Sequence, residues 1–247
     1  NAANAEETPS YGDDATTQGL ERKFADIFET EVRVFPVISG TAANALSIST
    51  FVPPYGSIYC HAACHLTRHE AGAPEFFTGG AKLVSVAGSD GKVAAAELER
   101  ALAASDQGDV HCVQPAALSL SQATEAGTVY TIDEVAALAA LARDYGLGVH
   151  MDGARFANAL VHLGCAPAEA TWRAGIDVLS FGATKNGALG ADAVVFFKPE
   201  LAATFELRRK RGGHLLSKMR FVSVQLDAYL ENGLWLDNAR HANAMAR

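Results

Sequence analysis

Short apolar runs rich in β-branched residues alternate with amphipathic segments along most of the chain, and this alternation most constrains the fold. Strand-like runs are predicted at 32–38, 57–60, 82–86, 110–114, 147–151, 176–181 and 193–197. Helix-like segments fall between these runs, at 42–50, 94–104 and after the capping-box pair Thr131 and Glu134. Such alternation predicts an α/β domain with a mostly parallel sheet.

The pattern changes beyond Pro199, where the sequence reads as helical from 201 to 211 and onward to Asn243. We therefore predict a large domain over residues 1–199 and, over residues 200–247, interface helices and the start of a smaller C-terminal domain. The chain does not begin with Met, so we expect a fragment or a trimmed chain in which the N-terminus of the large domain is incomplete.

Charge and composition narrow the classes of partner. The chain has 20 Lys and Arg against 28 Asp and Glu, a net charge of −8, and this lack of a basic footprint predicts no nucleic-acid partner. The basic cluster 208–211 is expected to be a solvated helical face, with a phosphate contact as the alternative. No apolar run approaches the roughly 18 residues of a membrane span, so no membrane association is expected. Four cysteines and no recognisable secretion signal favour a cytoplasmic location.

Polar residues follow three of the predicted strands. Gly40 and Thr41 come after the first strand and open a helix, Asp152 ends the strand at 147–151, and Lys185 lies four residues past the strand at 176–181. Ligands in open α/β sheets collect at the carboxyl ends of the strands. Each residue also has a plain structural explanation, as a helix cap, a turn aspartate or a surface-loop lysine.

The order of the three groups along the chain favours a functional explanation. A helix that begins at Gly40 and Thr41 offers free N–H groups and a positive dipole end to a phosphate. An aspartate such as Asp152 beneath a pyridine nitrogen keeps that nitrogen protonated, which makes the ring an electron sink. A lysine such as Lys185, set among small residues, can form a Schiff base. Together they predict a pyridoxal phosphate (PLP) site.

The segment from Cys60 to His65 carries two cysteines and two histidines and invites comparison with a metal site. Its spacing does not match common zinc pairs, and no second Cys/His pair follows at a suitable distance, so we predict no metal. His65 is better explained as a ring that stacks on a cofactor, with a buried core histidine as the alternative.

These motifs resemble those of the low-specificity L-threonine aldolases, which have the aspartate-aminotransferase-like, type I PLP fold. The resemblance runs from Tyr11 to Trp235 and is most like the bacterial subgroup that also acts on phenylserine. It is carried by Ser39-Gly40-Thr41-Ala42-Ala43-Asn44, His65, Glu70-Ala71-Gly72-Ala73-Pro74-Glu75, Gln122-Ala123-Thr124-Glu125, His150-Met151-Asp152-Gly153-Ala154-Arg155 and Gly182-Ala183-Thr184-Lys185-Asn186-Gly187. It implies a three-layer large domain with part of a smaller C-terminal domain, and retro-aldol cleavage of L-threonine, L-allo-threonine and related β-hydroxy-α-amino acids to glycine and an aldehyde.

The resemblance also implies roles for individual residues. Lys185 would carry the cofactor, Asp152 would pair with its pyridine nitrogen, and Gly40 and Thr41 would hold its phosphate. His65 would stack on the ring and help to deprotonate the substrate hydroxyl.

Other implied roles concern the substrate and neighbouring subunits. Arg155 would lie near the cofactor and the substrate carboxylate, and Tyr11 would be shared between subunits of a homodimer or homotetramer. Lys210 or Arg209 would reach a phosphate across the subunit interface.

The sequence departs from the family pattern in ways that leave alternatives open. Many relatives carry a second active-site histidine in the segment matching 122–125, and this chain has none there, so either His65 or water must be considered as the base. The family's N-terminal Ser-Asp-Asn segment and most of its C-terminal domain have no counterpart here. The alternatives are another type I PLP lyase or transaminase acting on small amino acids, and a truncated non-catalytic protein with the same fold.

Overall fold

The computed structural model describes residues 2–4 and 7–246. These residues form one seven-stranded sheet with the order β1-β7-β6-β5-β4-β2-β3. Strand β7 runs antiparallel to its neighbours β1 and β6, and the other pairs are parallel. The strands are β1 (Arg33–Val37), β2 (Gly56–His61), β3 (Lys82–Val86), β4 (Gln114–Ser121), β5 (Gly148–Gly153), β6 (Val178–Gly182) and β7 (Asp192–Phe196).

Helices cover both faces of this sheet. They are α1 (Ala15–Phe28), α2 (Gly40–Ile48), α3 (His65–Arg68), α4 (Ala73–Thr78), α5 (Ala95–Ala103), α6 (Ile132–Asp144), α7 (Phe156–Leu163), α8 (Phe205–Arg211), α9 (Arg220–Leu230) and α10 (Leu234–Met245). Short 3-10 turns lie at Ala2–Asn4, Trp172–Ala174, Thr184–Asn186, Pro199–Ala202 and Glu231–Gly233. The three-layer α/β class expected from the sequence is therefore confirmed.

The alternation of side chains along the central strands distributes the core over the two faces of the sheet. Val149 and Met151 of β5 pack into the larger core, which also receives the apolar sides of α1, α5, α6, α7, α9 and α10. On the other face, α2 and α8 pack against β1, β6 and β7 around Phe35 and Phe205. Successive residues of a strand point to opposite faces, so His150 and Asp152 of β5 lie on the α2 side.

One strand prediction was wrong. The expected strand at 110–114 is a turn region, and the strand in that part of the sheet is β4, which begins at Gln114. Val110 is almost fully exposed, whereas β4 is buried from Ala117 onward and lies between β2 and β5. Small and polar residues fill this central strand, so composition alone did not reveal it.

The other element predictions hold to within a few residues at each boundary. At the start of α6, Thr131 Oγ1 accepts a hydrogen bond from Glu134 N at 3.1 Å, and Glu134 Oε2 accepts one from Thr131 N at 2.7 Å. This is the capping box that the spacing predicted. The helix expected at 201–211 is divided into the turn Pro199–Ala202 and helix α8.

The residues after Pro199 pack against the earlier part of the chain. Helix α9 packs on α1, and helix α10 packs on α7. The division at residue 199 into two domains stays a prediction. None of the helices in the described residues combines the length and the apolar character that a membrane span requires.

Candidate active site

A cavity of about 230 Å³ opens where β5 and β6 end, beside the first turn of α2. Five of the residues predicted from the sequence line it together: Gly40, Thr41, His65, Asp152 and Lys185. Asp152 and Lys185 reach this cavity from the ends of two adjacent strands, β5 and β6, which are paired in parallel.

Asp152 is buried, with 5% of its surface exposed, and both of its carboxylate oxygens are held. Oδ1 accepts a hydrogen bond from Ala154 N at 3.0 Å, and Oδ2 accepts one from Asn44 Nδ2 at 3.0 Å. A carboxylate can accept about four hydrogen bonds. Asp152 therefore keeps capacity to accept from a protonated ring nitrogen in the cavity.

Lys185 lies in the 3-10 turn that follows β6, and its side chain is exposed. Asp192, the first residue of β7, holds this turn through hydrogen bonds to its backbone. Its Oδ1 accepts hydrogen bonds from Ala183 N at 2.9 Å and from Thr184 N at 3.1 Å. An antiparallel neighbour strand thus positions the turn that carries the amine.

Gly182 explains how this turn comes close to Asp152. A Cβ atom at Gly182 would lie 2.6 Å from the Cα and the carbonyl oxygen of Ala154, a separation that real side chains do not adopt. Only glycine lets the end of β6 approach the chain that follows Asp152. Gly182 therefore has a structural reason as well as leaving room for a ring.

The first turn of α2 forms the third wall of the cavity. Ser39 Oγ accepts a hydrogen bond from Ala42 N at 3.3 Å and caps the helix. The N–H groups at the start of a helix have no intrahelical acceptor and favour an anion. A Cβ at Gly40 would meet nothing within 4 Å, so the space beside this turn is open. Ser39, Gly40 and Thr41 can hold a phosphate here.

His65 begins α3 and is fixed at two points. Its backbone N–H donates to Glu125 Oε1 at 2.8 Å, and its ring Nδ1 lies 2.9 Å from Glu70 Oε1. Glu70 Oε1 also accepts from Asn44 Nδ2 at 2.8 Å. Burial raises the pKa of the Glu70 carboxyl to about 7, against smaller opposing effects of its hydrogen bonds to Asn44 and His65.

His150 lies one step deeper than Asp152 on the same face of β5 and is fully buried. Its Nδ1 is 2.8 Å from Ser119 Oγ, and its Nε2 is 2.9 Å from Ser180 Oγ. Burial lowers its pKa to about 4, so the ring is neutral at physiological pH. It therefore links β4, β5 and β6 under the cavity without adding charge.

Other predicted residues do not line this cavity. Arg155 is exposed at the start of α7. Tyr11 and Arg209 line a separate cavity of about 160 Å³. Lys210 Nζ lies 4.6 Å from the centre of the Tyr11 ring. The roles expected for these residues stay predictions.

The Cys60–His65 segment has its own hydrogen bonds. The thiols of Cys60 and Cys64 lie 3.5 and 3.1 Å from the hydroxyl oxygen of Thr67. A hydrogen bond from Cys60 lowers the pKa of the Cys64 thiol to about 7. Across the described residues, no three or more His, Cys, Asp or Glu side chains form a group that could hold a metal ion.

Sequence reasoning missed four residues of the site: Asn44, Glu70, Ser180 and Asp192. Asn44 and Glu70 stand inside the segments that carry the family resemblance, but no role was predicted for either. A buried asparagine within an alanine-rich helix was a usable signal, since such an amide needs hydrogen-bond partners. Ser180 and Asp192 gave no signal, because only strand pairing brings them to the cavity.

Sheet order and cavity position define the class: the chain has the fold of the type I PLP-dependent enzymes. A structure described as an aspartate aminotransferase from Rhodobacter sphaeroides shares this fold with a TM-score of 0.70 at 17% identity, covering 98% of this chain and 62% of that one. The chain belongs to the beta-eliminating lyase family, which matches residues 1–247.

Three relatives narrow the similarity further. A low-specificity L-threonine aldolase from a Pseudomonas species is 46% identical over 238 residues, 96% of this chain and 68% of that protein. A protein of the same name from Pseudomonas aeruginosa is 44% identical over 245 residues, 99% of this chain and 70% of that protein. A structure of Leishmania major threonine aldolase has a TM-score of 0.92 and 27% identity, covering 99% of this chain and 71% of the other.

Proposed function

We propose that this protein is a PLP-dependent aldolase that cleaves L-threonine and related β-hydroxy-α-amino acids to glycine and an aldehyde. The observation that supports this proposal most directly is that Asp152 and Lys185 face one cavity from the ends of two adjacent parallel strands. The relatives named low-specificity L-threonine aldolases support the reaction class. L-allo-threonine and phenylserine are further proposed substrates.

The residues present fit PLP. Ser39, Gly40 and Thr41 would hold the phosphate at the start of α2, and Asp152 would accept from the ring nitrogen. Lys185 would hold the cofactor covalently through its amine. When bound, the ring supplies an electron sink for the pair released as the Cα–Cβ bond of the substrate breaks.

His65 would accept the proton of the substrate β-hydroxyl. Its ring lines the cavity, and its Nε2 atom has no partner among the described residues, whereas Nδ1 is held by Glu70. General-base help of this kind is typically worth about 10²–10⁴ in rate. Because residues 122–125 contain no histidine, His65 carries the proposal for the base.

Arg155 would bind the substrate carboxylate, and Tyr11 would complete the site of a neighbouring subunit. Tyr11 lines a different cavity from the one that Lys185 lines, which suits a residue that acts in the site of a neighbouring subunit. We therefore propose that the chain forms a homodimer or homotetramer. We also propose a cytoplasmic location. Light scattering of the purified chain would test the assembly.

The decisive experiment compares the chain with its Lys185→Ala variant after incubation with PLP. We expect the unchanged chain to show the visible absorbance of lysine-bound PLP, to change its spectrum on addition of glycine, and to release glycine and acetaldehyde from L-threonine. Lys185→Ala should lose the bound-cofactor band and the turnover. Lys82→Ala, an exposed lysine at the start of edge strand β3, should keep both.

The products separate the alternatives. A keto acid in place of glycine and acetaldehyde would indicate a transaminase. Full turnover by Lys185→Ala would contradict the proposed role of the lysine. Absence of any PLP spectrum in the unchanged chain would indicate a protein with this fold but without the chemistry.

A further inference from the structure

The Glu70 carboxyl has an unusual setting for a charged group. Its side chain is fully buried, and among the described residues its one ion-pair partner is His65. A buried carboxylate without an Arg or Lys partner is costly and is retained mainly where its charge is used. This setting points to a function for Glu70 beyond packing.

The hydrogen-bond donors around Glu70 determine which nitrogen of His65 carries a proton. Asn44 Nδ2 can only donate, and it donates to Glu70 Oε1, which also faces His65 Nδ1. Above its pKa of about 7 the Glu70 carboxyl is ionised and can only accept, so Nδ1 must carry a hydrogen there. The neutral ring then has its lone pair on Nε2, the nitrogen with no partner among the described residues.

Asn44 links this pair to Asp152. The two hydrogens of its Nδ2 atom go to Glu70 Oε1 at 2.8 Å and to Asp152 Oδ2 at 3.0 Å. The amide therefore separates two carboxyl groups that would otherwise repel each other, and it fixes both in position. Burial, with a smaller contribution from the charge of Asp152, raises the pKa of Glu70 to about 7.

Resting on the proposed function, we propose that Glu70 is the positioning residue of a Glu70–His65 dyad, which fixes the His65 tautomer and balances the charge that forms when Nε2 takes a proton. In the step, the substrate O–H bond breaks, an N–H bond forms at Nε2, and the electron pair stays on the substrate oxygen. The proton on Nδ1 stays on His65. The imidazolium that results lies against the Glu70 carboxylate.

Two substitutions distinguish the effect of Glu70 on the His65 tautomer from the effect of the Glu70 charge. Glu70→Gln keeps an oxygen that can accept from Nδ1 but loses the charge, whereas Glu70→Ala loses both. The matched control is Glu75→Gln, a half-buried glutamate in α4 of the same Glu70-Ala-Gly-Ala-Pro-Glu75 segment. If the buried alanine variant fails to fold, the glutamine variant still provides the test.

The first readout uses the cofactor-free protein and needs no turnover. Nitrogen-15 NMR of the histidine ring at pH 8 should show the Nδ1–H tautomer of His65 in the unchanged chain, in Glu70→Gln and in Glu75→Gln. A mixture of tautomers is expected in Glu70→Ala. An Nε2–H tautomer in the unchanged chain would overturn the proposal.

The second readout is kinetic. With L-threonine, Glu70→Gln should lower kcat by about 10- to 100-fold, with KM nearly unchanged. This loss is smaller than the about 10²–10⁴ of general-base catalysis, because the base itself remains. The acid limb of its pH profile should move to lower pH, because Glu70, whose pKa is about 7, no longer titrates in the variant. A merely structural role would not shift that limb.

Failure of the proposed function and failure of the Glu70–His65 dyad give different results. If the unchanged chain does not cleave threonine, the proposed function fails, while the NMR result still reports on the dyad. If the unchanged chain is active and Glu70→Gln keeps both its kcat and its pH profile, the dyad fails and the aldolase proposal stands.

Discussion

The side-chain nitrogen of Asn44 lies 3.0 Å from Oδ2 of Asp152, although 108 residues separate the two in the chain. The bond joins helix α2, whose first turn lines the cavity, to the end of strand β5. It therefore sets the position of the proposed phosphate cradle relative to the carboxylate that would receive the ring nitrogen.

Replacing Asn44 with alanine should weaken both stability and cofactor binding. The change leaves Asp152 Oδ2 without a donor and removes one of the two donors to Glu70 Oε1. An unsatisfied buried acceptor costs about 1–3 kcal/mol. Urea unfolding of the cofactor-free protein should show a loss of that order, and titration with PLP should show a raised Kd. Ser49→Ala, which removes a bond to a carbonyl of the same helix, is the control and should keep the Kd. An unchanged Kd in Asn44→Ala would contradict this role.

Asp192→Ala should loosen the turn that carries Lys185. The substitution removes the acceptor for Ala183 N and Thr184 N. Hydrogen exchange at these two amides should become faster, and lysine-bound PLP should form less completely at a given PLP concentration. Asp192→Asn keeps an acceptor oxygen and should restore slow exchange in part. Equal exchange rates in the alanine variant and the unchanged chain would show that the turn is held by other contacts.

Buried His150 makes stability depend on pH in a defined window. Its pKa is about 4 when folded and roughly 6.5 when unfolded, so the unfolded state binds more protons between these values. The contribution of His150 to the free energy of unfolding should therefore be fully present above pH 6.5. It should fall by up to about 3 kcal/mol as the pH drops to 4.

Glu70 acts in the opposite direction. Its pKa is about 7 when folded and 4.5 in the reference state, so the folded state binds more protons in that interval. This contribution to stability is complete below pH 4.5 and is lost as the pH rises through 7. The two effects offset each other over much of the acid range.

Single variants should reveal both effects in urea unfolding of the cofactor-free protein at pH 4.5 and pH 7. His150→Gln should lose less stability on acidification than the unchanged chain, and Glu70→Gln should lose more. His241→Gln, at an exposed position of α10, should follow the unchanged chain. Parallel pH profiles for all four proteins would refute the assignment of these buried groups.

The sequence predicted the parts of the site that depend on local order. Gly40, Asp152 and Lys185 each lie at or just after the carboxyl end of a strand. Parallel strands bring these ends to one edge of the sheet, so the three residues could be placed together without a structure. The capping box of Thr131 and Glu134 was likewise readable, because its partners are three residues apart.

The remaining parts of the site depend on long-range packing. Glu70 reaches Asn44 across 26 residues and His65 across five, through a loop whose path no local pattern records. Strand β4 was misplaced because a central strand covered on both faces shows no alternation, and its small residues resemble a loop. Asp192 acts from an antiparallel strand that only the sheet order brings beside Lys185.

Asn186 links the Lys185 turn to the C-terminal helices. Its side-chain Nδ2 donates to the Tyr229 hydroxyl at 2.5 Å and to the backbone oxygen of Trp235 at 2.8 Å. The backbone carbonyl of Asn186 accepts from Asn238 Nδ2 at 2.9 Å. These bonds tie the residue beside the proposed cofactor lysine to α9 and α10.

A double-mutant cycle on Asn186→Ala and Tyr229→Phe would measure this link. Because the two side chains are bonded directly, the two losses of unfolding free energy should not add, with an interaction of about 0.5–3 kcal/mol. Pairing Asn186→Ala with Tyr55→Phe, an exposed tyrosine outside this network, should give additive losses. If Asn186 and Tyr229 also prove additive, the C-terminal helices do not support the lysine turn through this bond. If they are coupled, Asn186→Ala should in addition raise the Kd for PLP, because the turn beside the amine then loses its anchor on α9.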